Sequence, residues 1–200
     1  GGITMANLMS GSGHLLSGQT AYLQLRDGKT IEDLAVRNED GSMAGGIKMA
    51  NGTNSIRGSG GAPGTRGKSA ALVRAQFIKA QRYRKKMAKG GDDPPERDLA
   101  MEALVEVLEG KRVVHHHTHR HDDIITVLRL KKEFGFKVVL HHVSEAWKVA
   151  DEIAESEVPC SIIYLDSPGV KLEALDLECK HVSELEKRCV LTAFHTDDPI

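Results

Sequence analysis

The sequence predicts an α/β fold organised on a parallel sheet, and two observations carry that prediction. In the C-terminal half, short β-rich runs alternate with segments of helical periodicity, giving four strands and three helices at a repeat of roughly 25 residues. Connections of that length carry the chain through right-handed βαβ units rather than hairpins. The strand segments are also apolar enough for a sheet covered on both faces, as parallel sheets require. The pattern leaves two arrangements open, a doubly wound sheet and a (β/α)8 barrel.

Lys111 to His117 forms the first of these strands. "DDIITVLRLKKEF" follows as a helix with Asp122 or Asp123 as cap and Gly135 as stop. "FKVVLHH" is the second strand, and "SEAWKVADEIAES" a helix capped by Ser144 with Val149, Ala150, Ile153 and Ala154 on one face. "VPCSIIYLD", "KLEALDLECKHVSELEKR" and "CVLTAFHTDD" complete the set as strand, helix and strand. In the N-terminal half "ITMANLM", "AYLQLRD" and "GGIKMA" read as strands. "SGSGHLLSG" and "ANGTNSIRGSGGAPG" read as glycine-rich loops of the kind that cover active sites. A basic helix, "KSAALVRAQFIKAQRYRKKMAK", and an amphipathic one, "LAMEALVEVLEG", flank the polar break "GGDDPPERD".

A length of 200 residues with 40% apolar content suits one domain over residues 1–200, or part of a larger one. The net charge of -1 points to neither nucleic acid nor a membrane surface. Cys160, Cys179 and Cys189 lack C-x-x-C spacing, which fits packing residues in a reduced, cytoplasmic protein. No apolar run approaches a membrane span. The opening "GGITMANLM" and the closing "FHTDDPI" are read as the ends of an internal fragment, so that a signal sequence is not tested.

The chemistry lies in where polar residues fall on this pattern. "RVVHHHTHRHDD" packs five histidines into seven positions. His117 closes one strand, His142 the next and Asp166 the third, while Asp197 follows the fourth. Parallel strands bring these side chains to one C-terminal edge. Two imidazoles and a carboxylate converging there suit zinc or a similar divalent ion with positions left for water or substrate. Period-two alternation sets His115, His117 and His119 apart from His116. His116 and His141, the latter of opposite parity to His142, are expected to be structural, and His121 to be solvated.

These residues resemble a known family. "VVHHHTHRHDDIITVLRLKKEFGFKVVLHHVSEAWKVADEIAES" and "AFHTDDP" look like the central and final strands of the amidohydrolase superfamily, in its imidazolonepropionase-like branch. "GGITMANLMSGSGHLLSGQ" and "GGIKMANGTN" are similar to the region of its second to fourth strands. The resemblance implies an incomplete (β/α)8 TIM barrel, approximately strands 2 to 8, and hydrolysis of a C–N bond in an amide or cyclic amide. It implies that His117, His142 and Asp197 bind one or two divalent ions, zinc being expected, and that Asp197 also carries the proton. Lys48 matches the position of a carboxylated lysine bridging two metals; a lysine reaching solvent or pairing with an acid is the alternative. Outside any family motif, His119 and Arg120 are expected to reach a small-molecule substrate. The first-strand H-x-H of the family has no counterpart, so an open seam and weak metal binding are expected. A homo-oligomer is expected at full length.

Three other readings compete. "APGTRGKS", Ala62 to Ser69, resembles a phosphate-binding loop of a nucleotide hydrolase but lacks a preceding apolar strand. The helix around "RAQFIKAQRYRKKMAKGG" suggests nucleic-acid contacts with Phe77, Ile78 and Tyr83 interleaved, against a solvated face with those residues packed inwards. A non-enzymatic metal-binding protein would hold ions at several modest sites. Elemental analysis separates these: metal bound by the parent chain is expected to be lost from a His117→Ala, His142→Ala, Asp197→Ala triple variant. Equal metal in both would move the binding to surface histidines.

Overall fold

The computed structural model describes residues 2–56, 61–90, 96–163, 172–174 and 180–195. Its N-terminal part contains β1 (Met5–Leu8), β2 (Leu16–Gln19), β3 (Ala21–Gln24), the single turn α1 (Ile31–Leu34), β4 (Gly46–Ala50), α2 (Thr53–Ile56), α3 (Arg66–Lys89) and α4 (Leu99–Leu108). The C-terminal part runs β5 (Val113–Thr118), α5 (His121–Phe134), β6 (Val138–His142), α6 (Ala150–Glu155), β7 (Cys160–Ile163), α7 (Lys180–Glu186) and β8 (Thr192–His195). β1 and β3 pair antiparallel as a separate ribbon, while the main sheet has the order β2-β4-β5-β6-β7-β8. From β4 to β8 neighbours are parallel and follow chain order, so every crossover steps the same way. A doubly wound sheet would reverse at a switch point. β2, inside a segment that reads as a glycine-rich loop, joins the edge antiparallel to β4.

The expectation of two apolar faces is corrected. Ile47, Met49, Val114, Leu140 and Ile162 turn to the helices and form the core with residues of α3, α4 and α5. Alternation sends the residues between them to the opposite face. There Lys48 pairs in register with His115, His117 with His141, His141 with Ser161, and Ile163 with His195. One side of the sheet therefore holds the protein together and the other is polar.

The helices bear on two of the competing readings. In α3, Ser69, Val73, Phe77 and Ala80 form the buried stripe, at spacings of three and four. Phe77 stacks between Phe134 and Phe136, with ring centroids 5.1 and 5.2 Å away. Ile78 and Tyr83 pack against the same core, so the residues that would interleave as nucleic-acid contacts face inwards. Arg74 and Lys79 pair with Glu133 and Asp98. The phosphate-loop reading lacks its strand, since the described segment before that loop is helix α2. Ser69 also turns its hydroxyl back to the carbonyl of Thr65, at 2.9 Å.

Two cap assignments change. Arg120, not Asp122 or Asp123, is the N-cap of α5, which Gly135 ends in the left-handed conformation at φ 76°. The segment after β6 is a 3-10 turn, Ala146–Val149, leading into α6, and Ser144 is used elsewhere. Among the cysteines, Cys160 is buried, and burial pushes its thiol up to about 12. Cys189 is exposed, against expectation, and Cys179 lies outside the described residues. No helix among the described residues is long and apolar enough to cross a membrane. Because Phe77 sits at the centre of the three-ring stack, Phe77→Ala is expected to cost about 3–5 kcal/mol of stability in urea unfolding; a loss below 1 kcal/mol would show that the stack is not central to the core.

Candidate metal centre

The C-terminal edge of the polar face gathers a group of imidazoles. β5 points His115 and His117 to that side, and His119 follows in the turn into α5. In β6 the alternation selects His141, the register partner of His117, rather than His142. His142 reaches the same side by another route: it has φ 73°, and Val143 has φ 45°. Such left-handed conformations in residues other than glycine cost about 1–3 kcal/mol each. Hydrogen bonds hold the turn in place: Val143 N–H donates to the Thr118 carbonyl at 2.9 Å and Glu145 N–H to that of His119 at 3.0 Å. The sequence assignment is thus corrected at His141, which lines the cavity instead of packing among helices. It stands at His116, which is 2% exposed and hydrogen-bonded through Nδ1 to the carbonyl of His117.

His117, His119 and His142, all buried, present one nitrogen each within 4.8 Å of one another. Tetrahedral zinc needs nitrogens about 3.3 Å apart, so the three rings would close in by up to about 1.5 Å around an ion. Each ring is oriented by a side chain from another loop or strand. His119 Nδ1 meets Ser144 Oγ at 2.7 Å. His142 Nδ1 meets His195 Nε2 at 2.8 Å, and His195 Nδ1 meets Ser161 Oγ at 2.9 Å. His117 Nε2 meets Asn54 Nδ2 at 3.2 Å. Sequence reasoning assigns Ser144 as a helix cap and does not single out His195, Ser161 and Asn54, because their partners lie on other strands and loops.

Beside this group lies an open cavity of about 410 Å3 lined by Lys48, His117, His141, His142, Ser161, His195 and the segment 9–12. Lys48 is 6% exposed and does not reach solvent. Beside it, His115 links to His141 Nε2 at 3.0 Å through Nδ1 and to Tyr22 Oη at 2.8 Å through Nε2. Burial, reinforced by the charge of Lys48, pushes His115 down to about 4 and His141 to about 3. Burial and then the neighbouring imidazoles of His117, His119 and His195 push His142 further down still. Neutral rings with available lone pairs are the form that a metal requires.

The remaining candidates fall differently. Arg120 forms a two-point ion pair with Asp122, at 2.9 and 3.0 Å, and is not among the cavity-lining residues. His121 is not simply solvated, because its backbone N–H and ring bond Glu145. Burial would raise the Glu145 carboxyl, but those donors and Lys148 hold it at about 2. Asp166 and Asp197 lie outside the described residues.

The buried neutral imidazoles make stability depend on pH. For His115, His116 and His141 the folded-state value lies below the unfolded one of about 6.5, so the unfolded chain binds more protons between pH 6.5 and about 3. Stability therefore falls as pH drops through that window. Urea midpoints read from the fluorescence of Trp147 are expected to decline from pH 7 to pH 4, with a shallower slope in His116→Gln. A flat profile would show that these rings are charged when folded.

No family model and no curated protein matches the chain. A crystal structure of an amidohydrolase from Thermotoga maritima MSB8 superposes on all of it with a TM-score of 0.89 and 35% sequence identity, covering 52% of that protein. The chain thus spans about half the length of this neighbour, shares its mixed α/β architecture with a parallel sheet, and is similar to an amidohydrolase in both fold and sequence.

Proposed function

We propose that this chain forms strands 2 to 8 of a (β/α)8 barrel in a metal-dependent amidohydrolase of the imidazolonepropionase-like branch, acting on the C–N bond of an amide or cyclic amide. The observation that carries the reading is the set of three buried, closely grouped imidazoles, His117, His119 and His142, at the C-terminal edge of sequentially ordered parallel strands. Barrel enzymes keep their sites at that edge. Concentration of the imidazoles on one sheet face favours one built centre over the scattered modest sites of a non-enzymatic metal-binding protein.

His117, His142 and Asp197 would hold the ion, and His119, expected from the sequence to face substrate, joins them as a further candidate ligand; the imidazole-rich donor set favours zinc. When bound, the ion would supply a water whose pKa is lowered towards ~7 and would polarise the scissile carbonyl. Ser144 and His195 fix the orientations of the His119 and His142 rings. Asp197 is the residue proposed to take the proton of the attacking water and return it to the leaving nitrogen. Lys48, buried beside the imidazoles, is proposed as the bridge to a second ion when carboxylated. Arg120, held in an ion pair with Asp122, is proposed to contact substrate only weakly.

The test is hydrolysis of a panel of amides and cyclic amides by the zinc-loaded full-length protein. His117→Ala and His142→Ala are each expected to lower kcat/KM by roughly three orders of magnitude, matching the several kcal/mol a metal-activated water contributes. Arg120→Ala is expected to stay within about twofold. Turnover that survives both histidine substitutions would sink the assignment.

A further inference from the structure

The polar contacts of Asn54 and Glu173 are not explained by packing alone. α2 is a single turn of four residues, too short to hold its own orientation. Glu173, 3% exposed, comes from the connection after β7 and accepts hydrogen bonds from both the N–H and the Oγ1 of Thr53, each at 2.7 Å. Arg66, at the start of α3, joins it at 3.4 Å and also binds the buried Asp123 of α5 at 2.8 Å. Three connections at the C-terminal edge thereby share one guanidinium. Gly52 makes the approach possible: it has φ +75°, and a Cβ there would lie 2.6 Å from Glu173 Oε2. The next residue beyond Thr53 is Asn54, whose amide meets Ser12 Oγ at 2.6 Å and His117 Nε2 at 3.2 Å.

We infer that Glu173 and Asn54 form a positioning arm that decides which ring nitrogen His117 presents to the cavity; the inference rests on the reading of His117 as a metal ligand. The heavy-atom positions accommodate the amide in two orientations. With Nδ2 inwards it donates to Ser12 Oγ and to His117 Nε2, which keeps the ring proton on Nδ1. With Oδ1 inwards it accepts from the Ser12 hydroxyl and from His117 Nε2–H, which leaves Nδ1 as the lone-pair nitrogen. The arm is inferred to hold the second orientation before any ion binds, since that orientation leaves the Nδ1 lone pair for the ion, and Glu173 keeps the amide within reach by fixing Thr53. Hydrogen-bonded partners of this kind are worth about 10–100-fold in metal affinity.

The experiment compares the parent chain with Asn54→Ala, Asn54→Asp and Glu173→Gln. The His117 tautomer is read by long-range 1H–15N spectra of the metal-free protein, and Co2+ affinity and absorption are read alongside. In Asn54→Ala and Glu173→Gln the single tautomer of the parent is expected to give way to an averaged pair, with Co2+ bound about 10–100-fold more weakly in Asn54→Ala. Asn54→Asp, an acceptor only, is expected to restore one tautomer with the proton on Nε2. An unchanged tautomer and affinity in Asn54→Ala would overturn the arm. A parent chain whose Co2+ binding is indifferent to His117→Ala would overturn the metal reading instead, while the tautomer readout would still decide the arm.

Discussion

Desolvation of imidazole is the constraint on which the site depends. A parallel sheet normally buries apolar side chains on both faces, yet one face here carries Lys48, His115, His117, His141 and His195. Rings that are buried together with a lysine are tolerated when they are neutral and hydrogen-bonded to one another. The contacts between His115 and His141, and between His142 and His195, meet that condition. The same neutrality that makes the arrangement stable also leaves ring nitrogens fit to hold a divalent ion.

The opposite face supplies the stability that this polar face lacks. Phe77, Met49, Val114, Leu140 and Ile162 are almost wholly buried against the helices, and each large side chain contributes about 1.5–3 kcal/mol by leaving water. That reserve offsets the left-handed backbone at His142 and Val143. The strain turns one more imidazole into the cavity than alternation alone would deliver, because His141 already occupies the inward position of β6. A residue conformation that is unfavourable locally is thus retained where it adds a ligand.

The electrostatic ties between loops follow the same logic. Glu145 binds the start of α5 through His121, and the Arg66, Asp123 and Glu173 cluster binds α3, α5 and the connection after β7. Each tie holds a turn that carries or orients a cavity residue, so side chains of other loops add to the backbone hydrogen bonds that fix this edge.

The sequence by itself determined the alternation of strands and helices, the parallel sheet, the inward row of His115 and His117, and the packing of Phe77. All of these follow from local periodicity. Only the tertiary structure decided that β2 joins the sheet, that His141 faces the cavity, and that Ser144 serves His119 instead of capping a helix. It alone brought Asn54, Ser161 and His195 to the rings they orient. Those outcomes depend on backbone turns at positive φ and on partners such as Glu173 and Thr53, 120 residues apart, and no pattern along a single strand or helix encodes which distant side chain completes a hydrogen bond.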